Sequence, residues 1–426
     1  MFVGRSDVLT RHDLSLVEVL DQSSARSSLP SIELDAYISA SVPVPKVVND
    51  LSPSHCCSSE TLPSSPVNID VDVSQPLKAS SSAHEKDIPI RDHVPSLLTP
   101  RESIHRKFGL ESSLDRMSRF LKLAHNFNCF YLNDKVRHCK PFFVAGTQVG
   151  LVPSPVVEAM KKSPRVFEIG SDGAVFLHPN LGLASYEERS KQVDAVLRQW
   201  REQKAFITLK GWRDECFEVR DGFADPPLLK MERAATCLFG LRQYGVDING
   251  YTHHPSLGFC VWLQKRSVTK PTWPGALDNM VGGGLSVGHS IIETALKEAA
   301  EEASIPEDLL KDRLKSVGSV SFYFESERGL FPNTEFVFDL ELPPEFEPCN
   351  ADGEVESFEL VPVKEVMERI LYPEFKTTSC AVTLDFLIRH GFINSENEPN
   401  LPELVELLHI PLHKLYTKQS NFNFKP

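Results

Sequence analysis

Gly282-Gly283-Gly284-Leu285-Ser286-Val287-Gly288-His289-Ser290-Ile291-Ile292-Glu293-Thr294-Ala295-Leu296-Lys297-Glu298-Ala299-Ala300-Glu301-Glu302-Ala303-Ser304-Ile305 reads as a glycine-rich loop running into a helix. Ser290 and Glu293 stand three apart, the spacing of a capping box. Ile292, Ala295, Leu296, Ala299 and Ala303 give the helix a small apolar face that can pack closely on a sheet. Glu298, Glu301 and Glu302 stand at i, i+3 and i+4 and project from one side. Three carboxylates so placed repel one another unless a cation lies between them. Hard oxygen donors of this kind suit Mg²⁺ or Mn²⁺. The glycines let backbone groups approach a phosphate or a metal with no Cβ in the way. A solvated acidic helix face is the competing reading, and the triple glycine at a fixed distance upstream weighs against it.

Outward from this stretch, residues 231–393 read as strand-rich with helices. The pattern predicts a strand at 235–244 ended by 245–250, and a strand at 258–264 with Phe259, Val261 and Leu263 on one face. Further strands are expected at 319–325 and 335–342, and 358–361 leads into a helix from about Val363. A last helix, 379–389, is stopped by Gly391. Residues 113–230 are globular in composition, with Phe120, Phe127, Phe130, Tyr131, Phe142 and Phe143 as core material. Segments 165–169 and 174–177 alternate around Gly170 and Gly173 as a hairpin does. Ser185 and Glu188 cap a helix whose stripe is Val193, Val196, Leu197 and Trp200, and 217–219 reads as a strand. Strands and helices do not alternate strictly. The class is therefore α+β (mixed α/β), not a doubly wound parallel sheet.

Composition narrows the functions. Lys plus Arg is 45 against 58 Asp plus Glu, a net charge of −13, so the chain has no global attraction to nucleic acid backbones or anionic membranes. No apolar run approaches the ~18 residues of a membrane span. Nine cysteines, an odd number without a C-x-x-C, read as scattered free thiols in a reducing compartment. The cytoplasm is the expected compartment, with a mitochondrion or plastid as the second reading. Between Leu51 and Pro100, 18 of 50 residues are Ser or Pro and none is aromatic, so residues 1–105 are expected to be a disordered tail.

The glycine loop and helix resemble the Nudix box, G-x5-E-x7-R-E-U-x-E-E-x-G-U. Gly283 takes the first glycine, and Glu298, Glu301 and Glu302 take the three metal-associated glutamates. Ile305 takes the last apolar position. Three positions depart: His289 stands where the first glutamate belongs, Lys297 replaces the arginine and Ser304 replaces a glycine. In the family that first glutamate and the arginine hold loop and helix together. Here Glu293, four residues before Lys297, is the expected replacement partner. Segments 211–215 (Gly-Trp-Arg-Asp-Glu), 232–235, 238–240, 246–251 and 386–391 are similar to a thiamine pyrophosphokinase-related Nudix subgroup with an extra N-terminal domain.

The resemblance implies an α/β/α sandwich at 231–395, an accessory α+β domain at 113–230 and a C-terminal extension at 396–426. It implies hydrolysis of an organic diphosphate X-P-P to X-P plus phosphate, with Mg²⁺ or Mn²⁺. X would be an oxidised nucleoside, as in 8-oxo-dGDP, or a thiamine analogue. Glu298 and Glu302 would be the principal metal ligands, Glu301 a ligand or base, and the Gly282 carbonyl a further ligand. Lys297 joins the catalytic group. Gly283, Gly284, Gly288 and His289 form the loop facing the phosphates. Glu354 or Glu356 is the candidate extra acid. The alternative, from the three departures, is a catalytically weakened binding or regulatory module. Trp212, Trp262, Phe322 and Tyr323 read as core more than as stacking platforms. The expected partner is a small-molecule diphosphate, with no membrane and no nucleic acid polymer.

Overall fold

Strands β1 (Lys140–Val144), β2 (Thr147–Val152), β3 (Phe167–Ile169) and β4 (Val175–Leu177) build a first sheet in the order β2-β1-β4-β3. It belongs to a computed structural model that describes residues 117–133 and 135–416. The Ser/Pro-rich tail at 1–105 and residues 417–426 of the extension lie outside the described residues. The β3–β4 hairpin falls where the sequence alternates. Helices α1 (Arg119–Asn126) and α2 (Tyr186–Glu202) are among those that precede the second sheet in the chain. Ser185 Oγ accepts from the Glu188 N–H at the start of α2, and Val193, Val196, Leu197 and Trp200 are buried against the first sheet. An antiparallel ribbon of β5 (Cys216–Val219) and β6 (Leu229–Glu232) follows.

The second sheet has seven strands. Strand β7 (Gln243–His254) pairs in parallel with β12 (Gly329–Glu341), and β12 pairs antiparallel with β11 (Leu314–Ser326). The other edge of β7 is forked. Its first half pairs with β10 (Val281–Gly284), Gly282 opposite Asp247, and its second half pairs with β8 (Gly258–Arg266). Strands β9 (Leu277–Asn279) and β13 (Val355–Pro362) flank β8. The fork brings the glycine strand β10 alongside helix α3 (Ile291–Ala303).

Strand periodicity distributes the core to two faces. Val261, Leu263 and Val337 pack under α1 and under α4 (Val363–Arg369), α5 (Thr377–Arg389) and α6 (Leu401–Leu408). Their neighbours Trp262 and Phe338, with Val246 and Ile248, pack under Ala295, Ala299 and Ala303 of α3. The architecture is an α/β/α layering on a mixed sheet. The described cysteines are free thiols.

Two expectations are corrected. Residues 235–244 are not a strand: Arg233–Leu238 is a 3₁₀ helix, and the strand starts at Gln243. Residues 245–250 do not end it, but lie within β7. Gly245 and Gly250 serve close approach instead of a turn. A Cβ on Gly245 would lie 2.1 Å from Glu335 Oε2, and one on Gly250 would lie 2.0 Å from Met280 Sδ. A glycine inside a strand carries that meaning as often as a break.

Candidate active site

Helix α3 begins as its sequence prescribes. Ser290 Oγ accepts from the Glu293 N–H, while Glu293 Oε2 accepts from the Ser290 N–H at 2.8 Å. That duty takes Glu293 away from Lys297, so the expected Glu293–Lys297 contact does not form. Lys297 Nζ instead lies 3.2 Å from Glu298 Oε1 and 2.9 Å from Glu301 Oε2. The ammonium is the cation closest to two mutually repelling carboxylates. The helix ends on Ser304 with φ +50°, the left-handed conformation that the glycine of the box pattern adopts freely.

The three glutamates are differently placed. Glu302 is buried, and its Oε2 accepts from the Gly282 N–H at 2.9 Å and from Gln264 Nε2 at 3.2 Å. Burial pushes its carboxyl up to about 7. Glu298 is half-buried directly over Gly283, and burial raises it too, against the pull of Lys297. Glu301 is exposed. Glu298, Glu301, Lys297, Gly282, Gly283, Gly284 and His289 all line one cleft of about 780 Å³. Gly288, with φ +87°, turns the loop at the surface, and His289 is exposed beside it.

The cleft floor is charged. Asp278 is buried and accepts from Arg266 Nη1 (2.8 Å), Lys376 Nζ (2.9 Å) and the Ser379 hydroxyl. Burial works to raise its carboxyl, but Lys376 and Arg266 outweigh it and hold it at about 2. Burial pushes Asp247, opposite Gly282, well above the carboxylate range, and its neighbour Glu335 rises for the same reason. Lys270 pairs with Glu354, and burial pulls its ammonium down to about 8. Glu354 thus reaches the cleft, whereas Glu356 pairs with Lys265 at the surface and does not line it.

Residues outside the sheet grip the glycine loop. The Ser286 hydroxyl donates to Glu215, which also pairs with Arg233, and the Val287 N–H donates to the Cys216 carbonyl at 3.1 Å. Arg233 and Ser286 hold the Glu215 carboxyl below its ordinary range, although burial pushes the other way. A Cβ on Gly284 would meet Phe217 Cζ at 2.6 Å. Trp262, Phe322 and Tyr323 are buried core, while Trp212 is stacked beneath Arg198 and Arg201.

The donor set fits a hard divalent cation: carboxylate oxygens beside a backbone strand, with Lys297 supplying positive charge between two of them. Among the described residues no three acidic, His or Cys side chains already converge to ligating distance. Glu302 is turned to the Gly282 N–H, and Lys297 separates the other two. Lys270, Arg213, Arg233 and Arg266 were not singled out as site residues by sequence. Segment 211–215 stood out without a role, and Lys270 carries no local signal.

Residues 252–379 match the family model described as NUDIX domain, and residues 119–243 match one described as Domain of unknown function (DUF4743). The chain is 36% identical over 291 residues to Nudix hydrolase 24, chloroplastic, of Arabidopsis thaliana, covering 68% of this chain and 74% of that protein. It belongs to the Nudix hydrolase family. As a Nudix hydrolase it acts on diphosphate bonds. A second relative, described as uncharacterized protein YJR142W of Saccharomyces cerevisiae, is 37% identical over 236 residues, 53% of this chain and 68% of its own. Among solved structures, DR0079 from Deinococcus radiodurans matches with a TM-score of 0.30 and 19% identity, over 46% of this Nudix chain and 100% of its own. Among the described residues no helix is long and apolar enough to cross a membrane.

Proposed function

We propose that this chain hydrolyses the phosphoanhydride of an organic diphosphate, X-P-P plus water giving X-P plus phosphate, in a Mg²⁺- or Mn²⁺-dependent manner. X is an oxidised nucleoside, as in 8-oxo-dGDP, or a thiamine analogue. The observation that carries the reading is Glu298, over Gly283, and Glu301 both lining the cleft, with the buried Glu302 locked to the Gly282 N–H. Glu298, Glu302 and the Gly282 carbonyl are the residues to hold the cation, with Glu301 as a further ligand or the base that takes the water's proton. When bound, a divalent cation there supplies neutralisation of diphosphate oxygens and a more acidic water. Gly283, Gly284, Gly288 and His289 leave room for the phosphates, and Glu354, delivered by Lys270, is the extra acid. Residues 113–230 shape the substrate end of the cleft. The compartment is read as cytoplasmic, with a plastid as the alternative.

The test is phosphate release from a diphosphate panel with Mg²⁺, for wild type beside Glu302→Gln. The panel holds 8-oxo-dGDP, dGDP, thiamine diphosphate and its oxidised forms, and ADP-ribose. Turnover lost in the variant supports the reading, and no turnover in either protein sinks it. A second reading, a weakened binding module, draws on Lys297 already neutralising Glu298 and Glu301. It predicts ligand binding without turnover, and a sharp gain in turnover when His289→Glu and Lys297→Arg are combined.

A further inference from the structure

Segment 211–215 makes a distinct contact with nearly every residue, and one side chain is left over. Trp212 Nε1 donates to Asp214 Oδ1 at 2.9 Å, and Arg198 donates to the same oxygen at 3.0 Å. The guanidinium groups of Arg198 and Arg201 lie 5.0 and 5.1 Å from the Trp212 ring centre. Asp214 has φ +57°, a left-handed conformation that a non-glycine residue keeps only where its surroundings over-determine it. Glu215 holds the glycine loop through Ser286. The Arg213 N–H donates to Glu232 Oε1 at 3.1 Å, on a buried carboxyl. The backbone on both sides of Arg213 is thus fixed, and its side chain lines the cleft.

Among the described residues the Arg213 guanidinium has no carboxylate within ion-pair distance and donates no hydrogen bond. Burial first, then the charge of Arg233, brings it down to about 10. Arg328 is in the same state. Its guanidinium lies 5.0 Å from the Phe331 ring centre and 5.9 Å from that of Trp273, also in the cleft, with no ion pair among the described residues. Burial lowers it as well. The neighbouring cations are satisfied: Arg233 by Glu215, Arg266 by Asp278 and Lys270 by Glu354. The charge of Arg266 acts on both Arg213 and Arg328. Two half-buried forks of N–H donors therefore face the cleft with no protein partner among the described residues, beside a third cation. An anion with several oxygens removes both the repulsion and the unmet donors.

We propose that Arg213 and Arg328 are a phosphate-binding pair that receives the substrate's diphosphate in the cleft. The identity of that anion rests on the hydrolase reading above. Arg213 lies within the stretch matching the domain of unknown function, so that domain takes part in binding and is more than packing.

The experiment is calorimetric titration of the full chain with inorganic pyrophosphate, Mg²⁺ present, at fixed ionic strength. Wild type is compared with Arg213→Met, Arg328→Met and Arg213→Lys, each checked for an unchanged unfolding temperature. Each Met variant is expected to weaken pyrophosphate roughly tenfold to a hundredfold, the scale of a lost charge-assisted bond. Arg213→Lys recovers part of the loss, because it keeps the charge but not the planar fork, and it carries the test if Arg213→Met does not fold. Binding to both Met variants as tight as to wild type overturns the proposal, as does a wild type that does not bind. The hydrolase reading fails separately, through absence of turnover, and pyrophosphate binding that depends on these arginines survives that failure.

Discussion

Gly283→Ala is expected to leave the fold standing and to disable the site. Gly283 lies in β10, and its φ is outside the left-handed region, so alanine meets no backbone strain there. The new Cβ would lie 2.4 Å from Glu298 Cγ and 2.5 Å from its Cδ. Carbon atoms rest at about 3.5 Å, so the Glu298 side chain must retreat by about 1 Å. The atoms that give way belong to a flexible side chain, which makes the cost in stability small. The lower entropy of the unfolded alanine variant offsets about 0.4–1 kcal/mol of it. A misplacement of about 1 Å in a reacting constellation costs about 100-fold in rate, or about 2.7 kcal/mol of barrier. The assay is kcat for phosphate release at saturating substrate, beside thermal unfolding by circular dichroism. A double-mutant cycle isolates the cause: added to Glu298→Gln, Gly283→Ala should have almost no further effect. A kcat within about threefold of wild type at an unchanged unfolding temperature would refute the placement of Glu298 in the reaction. So would full additivity in the cycle.

Three other outcomes follow from the same geometry. Asp278 is held at about 2, below its ordinary 3.8, so it stabilises the fold fully above about pH 4. That contribution, on the order of 2 kcal/mol, is lost as pH falls toward 2. Lys376→Met should raise the acid midpoint of unfolding, and an unmoved midpoint argues against the pairing. Glu215→Gln weakens the hold on Ser286 and Arg233, so the Val287 amide should exchange with deuterium about tenfold faster, while exchange in α2 stays unchanged. Gly250→Ala sets a Cβ 2.0 Å from Met280 Sδ and should destabilise by about 1–3 kcal/mol in denaturant titration. A neutral result would mean that Met280 has room to turn away.

The local signals of the sequence carried a good deal. The capping box at Ser290 and Glu293, the hairpin around Gly170 and the stripe of α2 follow from interactions within a few residues, and each is where the spacing puts it; on the small face of α3, Ala295, Ala299 and Ala303 are buried, but Ile292, expected there too, is exposed at the first turn. Glu298, Glu301 and Glu302 are three residues on one helix side, so their neighbourhood was also legible. Their inequality was not. Which carboxylate is buried depends on β10 and Gln264, and both come from elsewhere in the chain. Gly245 and Gly250 misled because a glycine is silent about whether it bends the chain or admits a neighbour. Only the presence of Glu335 and Met280 decides.

By itself the sequence determined most of the elements, the mixed class and the acidic helix behind a glycine loop, because propensity, capping and periodicity act over short separations; the start of β7 escaped it. The tertiary structure decided what surrounds that helix. It brought Lys270, Arg266 and Lys376 to one cleft and set Glu215 against Ser286 across 71 residues. Those outcomes turn on charges and close contacts between distant segments, which the forked pairing of β7 brings together.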